Sequence, residues 1–224
     1  MTVTDRSQTM MPSEVTIVGA PPPADPAPLG LAAFALTTFL ISADNAGWTH
    51  GTDAWLGYAF AYGGLCQLLA GMWEFRNRNV FGSTAFSTYG GFWIGLAIYV
   101  LVVIPHDKAT AAQVGNDLGW ILLAFLIFNT YMLMWSTQVN TAVFAVFLTL
   151  ELTELVLVIG NFSGSTGVVH LGGIIGVITA LAAWYTSSAG VINGMLGRPR
   201  LPVGRPMGGA IAAGRPGSPL PRVD

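Results

Sequence analysis

Six long apolar blocks follow one another along the chain and are separated by short polar breaks. The blocks cover about residues 29–47, 54–75, 83–104, 117–135, 139–160 and 168–189. Each is near the ~20 residues that a helix needs to cross a bilayer, and none has the strict alternation of a membrane β-strand. The pattern therefore predicts an all-α membrane protein, a bundle of six transmembrane helices. The break at residues 135–140 carries no charge and is the least distinct.

The two ends of the chain differ from this apolar centre. Residues 1–24 carry scattered charges and three consecutive prolines, and residues 198–224 are rich in Arg, Pro and Gly. Such composition is typical of disordered segments. The expected organisation is a disordered cytoplasmic tail over 1–24, a six-helix transmembrane domain over 25–197, and a second cytoplasmic tail, mostly disordered, over 198–224.

Basic residues are distributed unequally between the two sides that six spans would create. With six spans both termini lie on the same side of the membrane. Lys108 is then the one basic residue on the opposite side, and all the others lie on the side of the termini. Cytoplasmic loops of membrane proteins carry the excess of Lys and Arg. The asymmetry therefore predicts that both termini are cytoplasmic, together with the other basic residues, which are Arg6, Arg76, Arg78, Arg198, Arg200, Arg205, Arg215 and Arg222. Glu74, just before Arg76 and Arg78, is interpreted as their partner at the membrane surface.

Composition supports the membrane assignment and excludes some partners. The chain is 53% hydrophobic and 9% charged, whereas soluble proteins carry about 25% charged residues. The formal net charge of −2 gives no basic surface of the kind that binds nucleic acid. The single cysteine, Cys66, cannot form an internal disulfide.

The first apolar block begins with a proline-rich motif, in which a carboxylate precedes two prolines. Proline is tolerated in the first turn of a helix, where no N–H partner is needed. The carboxylate can accept hydrogen bonds from free N–H groups at that helix end. The motif is therefore interpreted as a fixed start of the first helix, and it consists of Asp25, Pro26, Ala27, Pro28, Leu29, Gly30 and Leu31.

Polar side chains within the apolar blocks are the candidates for a transport path. A polar group in the bilayer is costly and needs a partner or a water-lined path, so each either bonds a neighbouring helix or lines a pore. No basic residue lies at mid-membrane, so amides, hydroxyls and backbone N–H groups would have to hold a small anion. The pore-lining candidates are Thr37, Thr38, Asn45, Gln67, Thr84, Thr88 and Asn161.

Two carboxylates, Glu151 and Glu154, lie near the middle of the fifth block, three residues apart and therefore on one helix face. Ionising both in a low dielectric is unfavourable, so at least one is expected to carry a proton near neutral pH. Two hypotheses remain: a protonated glutamate that bonds a neighbouring helix, and a proton relay formed by the pair.

Motifs for other chemistry are missing from the sequence. His50 is assigned to an outer loop, and His170 begins the sixth block. Neither has a Cys, His or Asp at ligand spacing, so neither a metal site nor a cofactor is expected. No nucleophile elbow or phosphate-binding loop is present. A membrane enzyme that uses Glu151 and Glu154 as an acid–base pair, and a membrane sensor or scaffold, stay as alternatives to transport.

The helix-start motif resembles the Asn-Pro-Ala-Pro-Leu-Gly-Leu signature of the acetate uptake transporter family, the succinate–acetate permeases, with Asp25 in place of the usual Asn. The resemblance extends over about residues 25–204. Further matching motifs follow in the family's order: Asn45-Ala46-Gly47, Tyr62-Gly63-Gly64, Gln67, Ala70-Gly71, Glu74, Phe81-Gly82, Thr84-Ala85-Phe86, Tyr89-Gly90, Phe92-Trp93, Gly160-Asn161 and Pro202-Val203-Gly204.

The resemblance implies a multi-pass plasma-membrane protein that transports acetate, succinate or similar short carboxylates, with proton coupling left open. It also implies homo-hexamers in lipid, with a pore through each protomer that Phe34, Tyr89 and Leu150 narrow. Bulky apolar side chains can gate a pore by excluding water. The family more often has uncharged residues at positions 151 and 154, so the two glutamates are a departure from its pattern.

Overall fold

A computed structural model describes residues 23–49 and 54–207. The predictions for residues 1–22 and 208–224, and the assignment of His50 to an outer loop, lie outside the described residues. Within them the chain is helical and contains no strand. This confirms the all-α fold class.

In the part of the chain that the structure describes, six long helical segments, here α1 to α6, follow one another. Five are long and apolar enough to cross a membrane, and α2 is a sixth segment divided by a π-helical stretch. Their apolar length makes the chain a multi-pass membrane protein. The segments are α1 (Ala27–Asn45), α2 (56–76), α3 (Val80–Asp107), α4 (Ala111–Ser136), α5 (Thr141–Ser163) and α6 (Thr166–Leu196).

The π-helical stretch of α2, Ala61–Cys66, lies where this helix meets α1. A Cβ atom on Gly63 would come within 2.5 Å of the Thr37 hydroxyl oxygen, so only glycine permits this approach. A second π-helical stretch in α3, Tyr99–Val103, lies just before Pro105. Proline cannot donate the helical hydrogen bond, and a locally wider turn accommodates that loss without ending the helix.

Side-chain caps begin three of the helices and separate the apolar blocks. The Asn79 side chain accepts from the Gly82 N–H over 3.0 Å, and Thr110 and Gln113 form a capping box. At the least distinct break, the Asn140 side chain accepts from the Val143 N–H over 2.9 Å. This amide cap starts α5 although the break carries no charge.

The six segments form a ring in chain order, which α6 closes by packing on α1. Glycines allow this closure, because a Cβ atom on Gly173 would come within 2.7 Å of the backbone of α1. Gly172 packs in the same close manner against Leu157 of α5. The contact between α3 and α4 is the least extensive between neighbours in the ring.

Residues 198–207, here called the C-terminal strap, lie across the ends of α5 and α6. The Val203 carbonyl accepts from the Ala142 N–H over 2.9 Å, and the Pro202 carbonyl accepts from the Tyr185 hydroxyl over 2.6 Å. Gly204 has a φ of +76° and packs on Thr141, a backbone conformation that glycine adopts readily. The Pro202-Val203-Gly204 motif therefore ties the strap to the bundle.

Candidate functional site

Two cavities lie inside the ring, towards opposite ends of the bundle. The first, of about 290 Å³, is lined by the C-terminal halves of α1, α3 and α5 and the N-terminal half of α4. The second, of about 80 Å³, is lined by the N-terminal halves of α1, α3 and α5 and by α2. The first lies towards the end of the bundle that carries Lys108, and the second towards the end that carries Arg76 and Arg78.

Phe34, Tyr89 and Leu150 line both cavities, and they are the three residues that the two linings share. All three belong to one buried apolar cluster. The Phe34 and Tyr89 rings meet edge to face with their centroids 5.8 Å apart. The three side chains therefore form an apolar partition between the two cavities, contributed by three different helices.

The Tyr89 hydroxyl connects this partition to a polar network. It donates to the Asn129 side-chain oxygen over 3.0 Å and lies 3.4 Å from a Glu154 carboxyl oxygen. Asn129, which is fully buried, donates in turn to the Phe147 carbonyl over 3.1 Å and to Glu151 over 2.7 Å. A hydroxyl has one proton to donate, and the shorter distance assigns it to Asn129.

The two glutamates occupy different surroundings. Glu154 lines the first cavity and is 5% exposed, and its second carboxyl oxygen has no partner among the described residues. Glu151 is half-buried and points towards α4, where it accepts from Asn129 and, over 2.7 Å, from the Thr130 hydroxyl. Tyr89 and Asn129 thus lie between the two glutamates, and the chain of hydrogen bonds is complete when a protonated Glu154 donates to the Tyr89 oxygen.

The other pore-lining candidates divide between the cavities and the helix contacts. Thr38, Asn45 and Asn161 line the first cavity, and Gln67 lines the second. The remaining three lie outside both linings. Thr37 donates to the Ala33 carbonyl over 3.1 Å at the contact with α2, and Thr84 and Thr88 are half-buried on another face of α3.

The helix-start motif is fastened at several points. The Asp25 carboxylate accepts from the Ala27 N–H over 2.9 Å, and the Pro28 carbonyl accepts from the Ser187 hydroxyl over 2.6 Å. A Cβ atom on Gly30 would come within 2.7 Å of the Phe86 ring, so this glycine lets α1 approach α3. Ala27 and Leu31 line the second cavity, which places the motif at its mouth.

Sequence reasoning missed several polar residues that line the cavities, among them Glu74, Asp44 and Trp93. Glu74, interpreted from the sequence as a surface partner of Arg76 and Arg78, is 1% exposed and lines the second cavity. Its position seven residues after Gln67, two turns along one helix face, was the available signal. Trp93 and Asp44 line the first cavity. The available signal for Trp93 was its position one helical turn after Tyr89, whereas no spacing in the sequence marks Asp44.

The ionisable groups that line the two cavities are acidic. They are Asp44 and Glu154 in the first cavity, Glu74 in the second and the weakly acidic Tyr89 in both, and neither lining, as far as the described residues define it, includes Lys or Arg. Asp44 accepts from the Trp55 indole N–H over 3.3 Å. An anion in either cavity would therefore depend on neutral hydrogen-bond donors and on protons for its binding.

Comparison with known proteins gives three consistent findings. The sequence profile described as "GPR1/FUN34/yaaH family" matches residues 8–199. The chain is 42% identical to "Ammonia transport outward protein 2" of Saccharomyces cerevisiae, over 75% of this chain and 61% of that one. It is 34% identical to "Succinate-acetate/proton symporter SatP" of Escherichia coli K12, over 81% of this chain and 95% of that one.

A solved structure, "Structure of the bacterial acetate channel SatP", superimposes on the chain with a TM-score of 0.75 and 34% identity, and it covers 81% of this chain and 99% of that chain. The chain thus spans nearly all of the bacterial relative but 61% of the yeast relative's length. The relatives' names are those of transport proteins, which favours the transport hypothesis over the membrane enzyme and the sensor.

Proposed function

The chain belongs to the GPR1/FUN34/yaaH family, and from this premise we propose that it transports acetate and similar short carboxylates across the cell membrane. The observation that carries the proposal is that two cavities from opposite ends of one protomer meet at Phe34, Tyr89 and Leu150. A pore interrupted by an apolar constriction conducts when the constriction is wetted or widened. The printed names of the bacterial relatives supply the substrate class.

Proton linkage is part of the proposal, and the proton-relay candidates are Glu151 and Glu154. Glu154 lies against the cavity and the gating Tyr89, and Glu151 joins it through Asn129. An ionised glutamate beside the constriction would repel an anionic substrate in a low dielectric. Protonation would remove that repulsion and supply an O–H donor to the carboxylate.

Uptake of labelled acetate into vesicles that contain the purified protein tests this function. Protein-free vesicles must be subtracted, because undissociated acetic acid crosses lipid unaided. We expect protein-dependent uptake that unlabelled acetate inhibits. Vesicles that show no protein-dependent uptake at any pH between about 5 and 8 would refute the proposed function.

A second candidate substrate is ammonium, which the acidic cavity linings and the yeast relative's printed name favour. The same vesicles distinguish the two, because the uptake of labelled acetate and the uptake of a labelled ammonium analogue are measured separately. An ammonium signal without acetate uptake would replace the carboxylate by the cation as substrate.

The proposed assembly is a homo-hexamer in lipid, as the family resemblance implies. A Cβ atom on Gly91 or Gly95 would meet no other part of the described residues within 4 Å, and both glycines lie on one face of α3 with Thr84 and Thr88. Small residues in such a row let helices of two subunits approach closely. Native mass spectrometry should detect an assembly of 23.6 kDa protomers that the double variant Gly91→Leu and Gly95→Leu disrupts, whereas Gly194→Leu, at another open position, should preserve it.

A further inference from the structure

A polar ring lies one helical turn beyond the apolar constriction. Thr38, Trp93 and Glu154 each lie four residues after a constriction residue, on α1, α3 and α5 respectively. These three helices are alternate members of the bundle and run in the same direction. A spacing of four residues moves about 6 Å along a helix and returns close to the same face, so all three steps lead into the first cavity.

Each member of this ring carries a buried polar atom that has no partner among the described residues. The atoms are the Thr38 hydroxyl oxygen, the Trp93 indole nitrogen and one Glu154 carboxyl oxygen. The three side chains are 5%, 3% and 5% exposed, and all of them line the 290 Å³ cavity. Buried polar groups are almost always paired with protein or water, so these three atoms are available to bond whatever occupies the cavity, which is water when it is empty of substrate and the substrate when it is not.

The hydrogen-bonding capacity of the ring defines that ligand. The Trp93 indole is a donor only, the Thr38 hydroxyl donates or accepts, and a carboxyl accepts when ionised and donates when protonated. A ligand carboxylate can accept from Trp93 and Thr38. It can face Glu154 only if one proton lies between the two carboxyl groups, since two close carboxylates do not both ionise readily.

We propose that Thr38, Trp93 and Glu154 form a binding site for a short monocarboxylate, in which the ligand and Glu154 share one proton. This inference rests on the proposed function and assigns its substrate a position on the Lys108 side of the constriction. The balance is one carboxylate, one Glu154 carboxylate and one proton, which together form a hydrogen-bonded pair with a single negative charge. No covalent bond forms or breaks apart from the transfer of that proton.

Three other titratable groups lie near Glu154, one each on α1, α3 and α5. Tyr89 lies 3.4 Å away on α3, Glu151 lies one turn earlier on α5, and Asp44 of α1 lies in the lining of the same cavity. The titratable residues of α4 and α6 lie outside the lining of this cavity; they are Asp117, Tyr131, His170 and Tyr185. Glu154 is therefore the titratable group of the ring that contacts the ligand.

A shared proton predicts a specific dependence of acetate affinity on pH. Short carboxylates are ionised above about pH 6, so a change in affinity above that pH belongs to the protein. While Glu154 is protonated it supplies the proton and the affinity is constant. Once Glu154 ionises, the proton comes from solution, and the affinity falls about tenfold for each further pH unit.

Titration calorimetry of the full-length protein in detergent with sodium acetate, between about pH 6 and 10, tests this dependence. The wild type should lose affinity at the alkaline end. Glu154→Gln should bind acetate with an affinity that is level across the range, because the amide donates at every pH. Asp117→Asn, which alters an exposed carboxylate bonded to Tyr99, should keep the wild-type profile.

Two further variants test the donors of the ring. Trp93→Phe should weaken acetate binding by at least about tenfold, the usual effect of losing a hydrogen bond to a charged group. Trp120→Phe, at a position that is 61% exposed, should bind like the wild type. Thr38→Val should weaken binding while preserving shape. These variants are scored only if their thermal unfolding matches the wild type.

The outcomes separate this inference from the proposed function. Vesicle uptake together with a level wild-type affinity up to pH 10 would refute the shared proton and leave transport standing. Equal affinities for Trp93→Phe and Trp120→Phe would likewise refute the site. If Glu154→Gln does not fold, the pH profile of the wild type and the comparison of Trp93→Phe with Trp120→Phe still test the proposed site. Absence of vesicle uptake refutes transport, whatever the calorimetry shows.

Discussion

Tyr89 and Asn129 are joined by a buried hydrogen bond of 3.0 Å between α3 and α4. These are the two neighbouring helices with the least extensive contact in the ring. Asn129 also holds the Phe147 carbonyl and Glu151 on α5. One amide therefore links a constriction residue to the two helices that follow.

Asn129→Ala should destabilise the protomer, because it leaves the Tyr89 hydroxyl, the Phe147 carbonyl and Glu151 without this partner. Each buried unsatisfied group costs about 1–3 kcal/mol. Glu151 keeps its bond to Thr130, so the other two groups give an expected loss of roughly 2–6 kcal/mol. Thermal unfolding in detergent measures it. Asn116→Ala, an exposed position on the same helix, should leave the midpoint unchanged, and equal midpoints for both variants would contradict the structural role of the amide.

Shrinking the constriction should relax the size preference of transport. Leu150→Ala and Phe34→Ala remove bulk from the partition between the cavities, and each should raise the uptake of butyrate relative to acetate while the protein stays folded. Leu152→Ala removes the same atoms from a position on α5 that is 45% exposed, and it should keep the wild-type ratio. If neither constriction variant changes the ratio, these residues do not limit the pore.

Protein-dependent acetate uptake should rise as the pH falls. Protonation of the glutamates removes their repulsion of the anion beside the constriction, so the sign is an increase towards acid after the protein-free background is subtracted. The double variant Glu151→Gln and Glu154→Gln should show a flattened profile. A double variant with the wild-type profile would mean that the pair has a structural role only.

The orientation of the protein in the membrane is tested by single cysteines in a Cys66→Ser background. Asp107→Cys and Arg198→Cys place thiols at exposed positions near opposite ends of the bundle. Because cytoplasmic loops carry the excess of basic residues, a membrane-impermeant reagent applied to whole cells should label position 107 and not position 198. The reverse labelling would invert the proposed topology.

The sequence predicted the helices well because the bilayer sets their length. It could not tell which face of each helix points inwards. In a soluble helix the apolar stripe marks the core. In a membrane helix the faces towards lipid and towards neighbouring helices both require apolar residues, and in α3 the apolar residues are distributed almost evenly around the helix axis. Thr84 and Thr88 were therefore assigned to the pore with the same reasoning as Thr38, although only Thr38 lines a cavity.

The constriction residues came from the family resemblance, and their role in gating remains a prediction. The polar network behind them could not be predicted, because Asn129 and Glu151 meet only when α4 packs on α5. Glu74 illustrates a different limit. Its neighbours Arg76 and Arg78 indicated the membrane surface, yet the close approach of Gly82 buries its carboxylate under the start of α3.

The four-residue offset between the constriction and the polar ring has a mechanical consequence. In a regular helix the members of each pair differ by about 40° in direction around the helix axis. If α1, α3 or α5 rotates about its own axis as a rigid body, its constriction residue and its ring residue move together. The constriction residue leaves the pore axis while the ring residue turns towards that axis or away from it. Any opening motion that rotates one of these helices must therefore also reshape the carboxylate-binding ring.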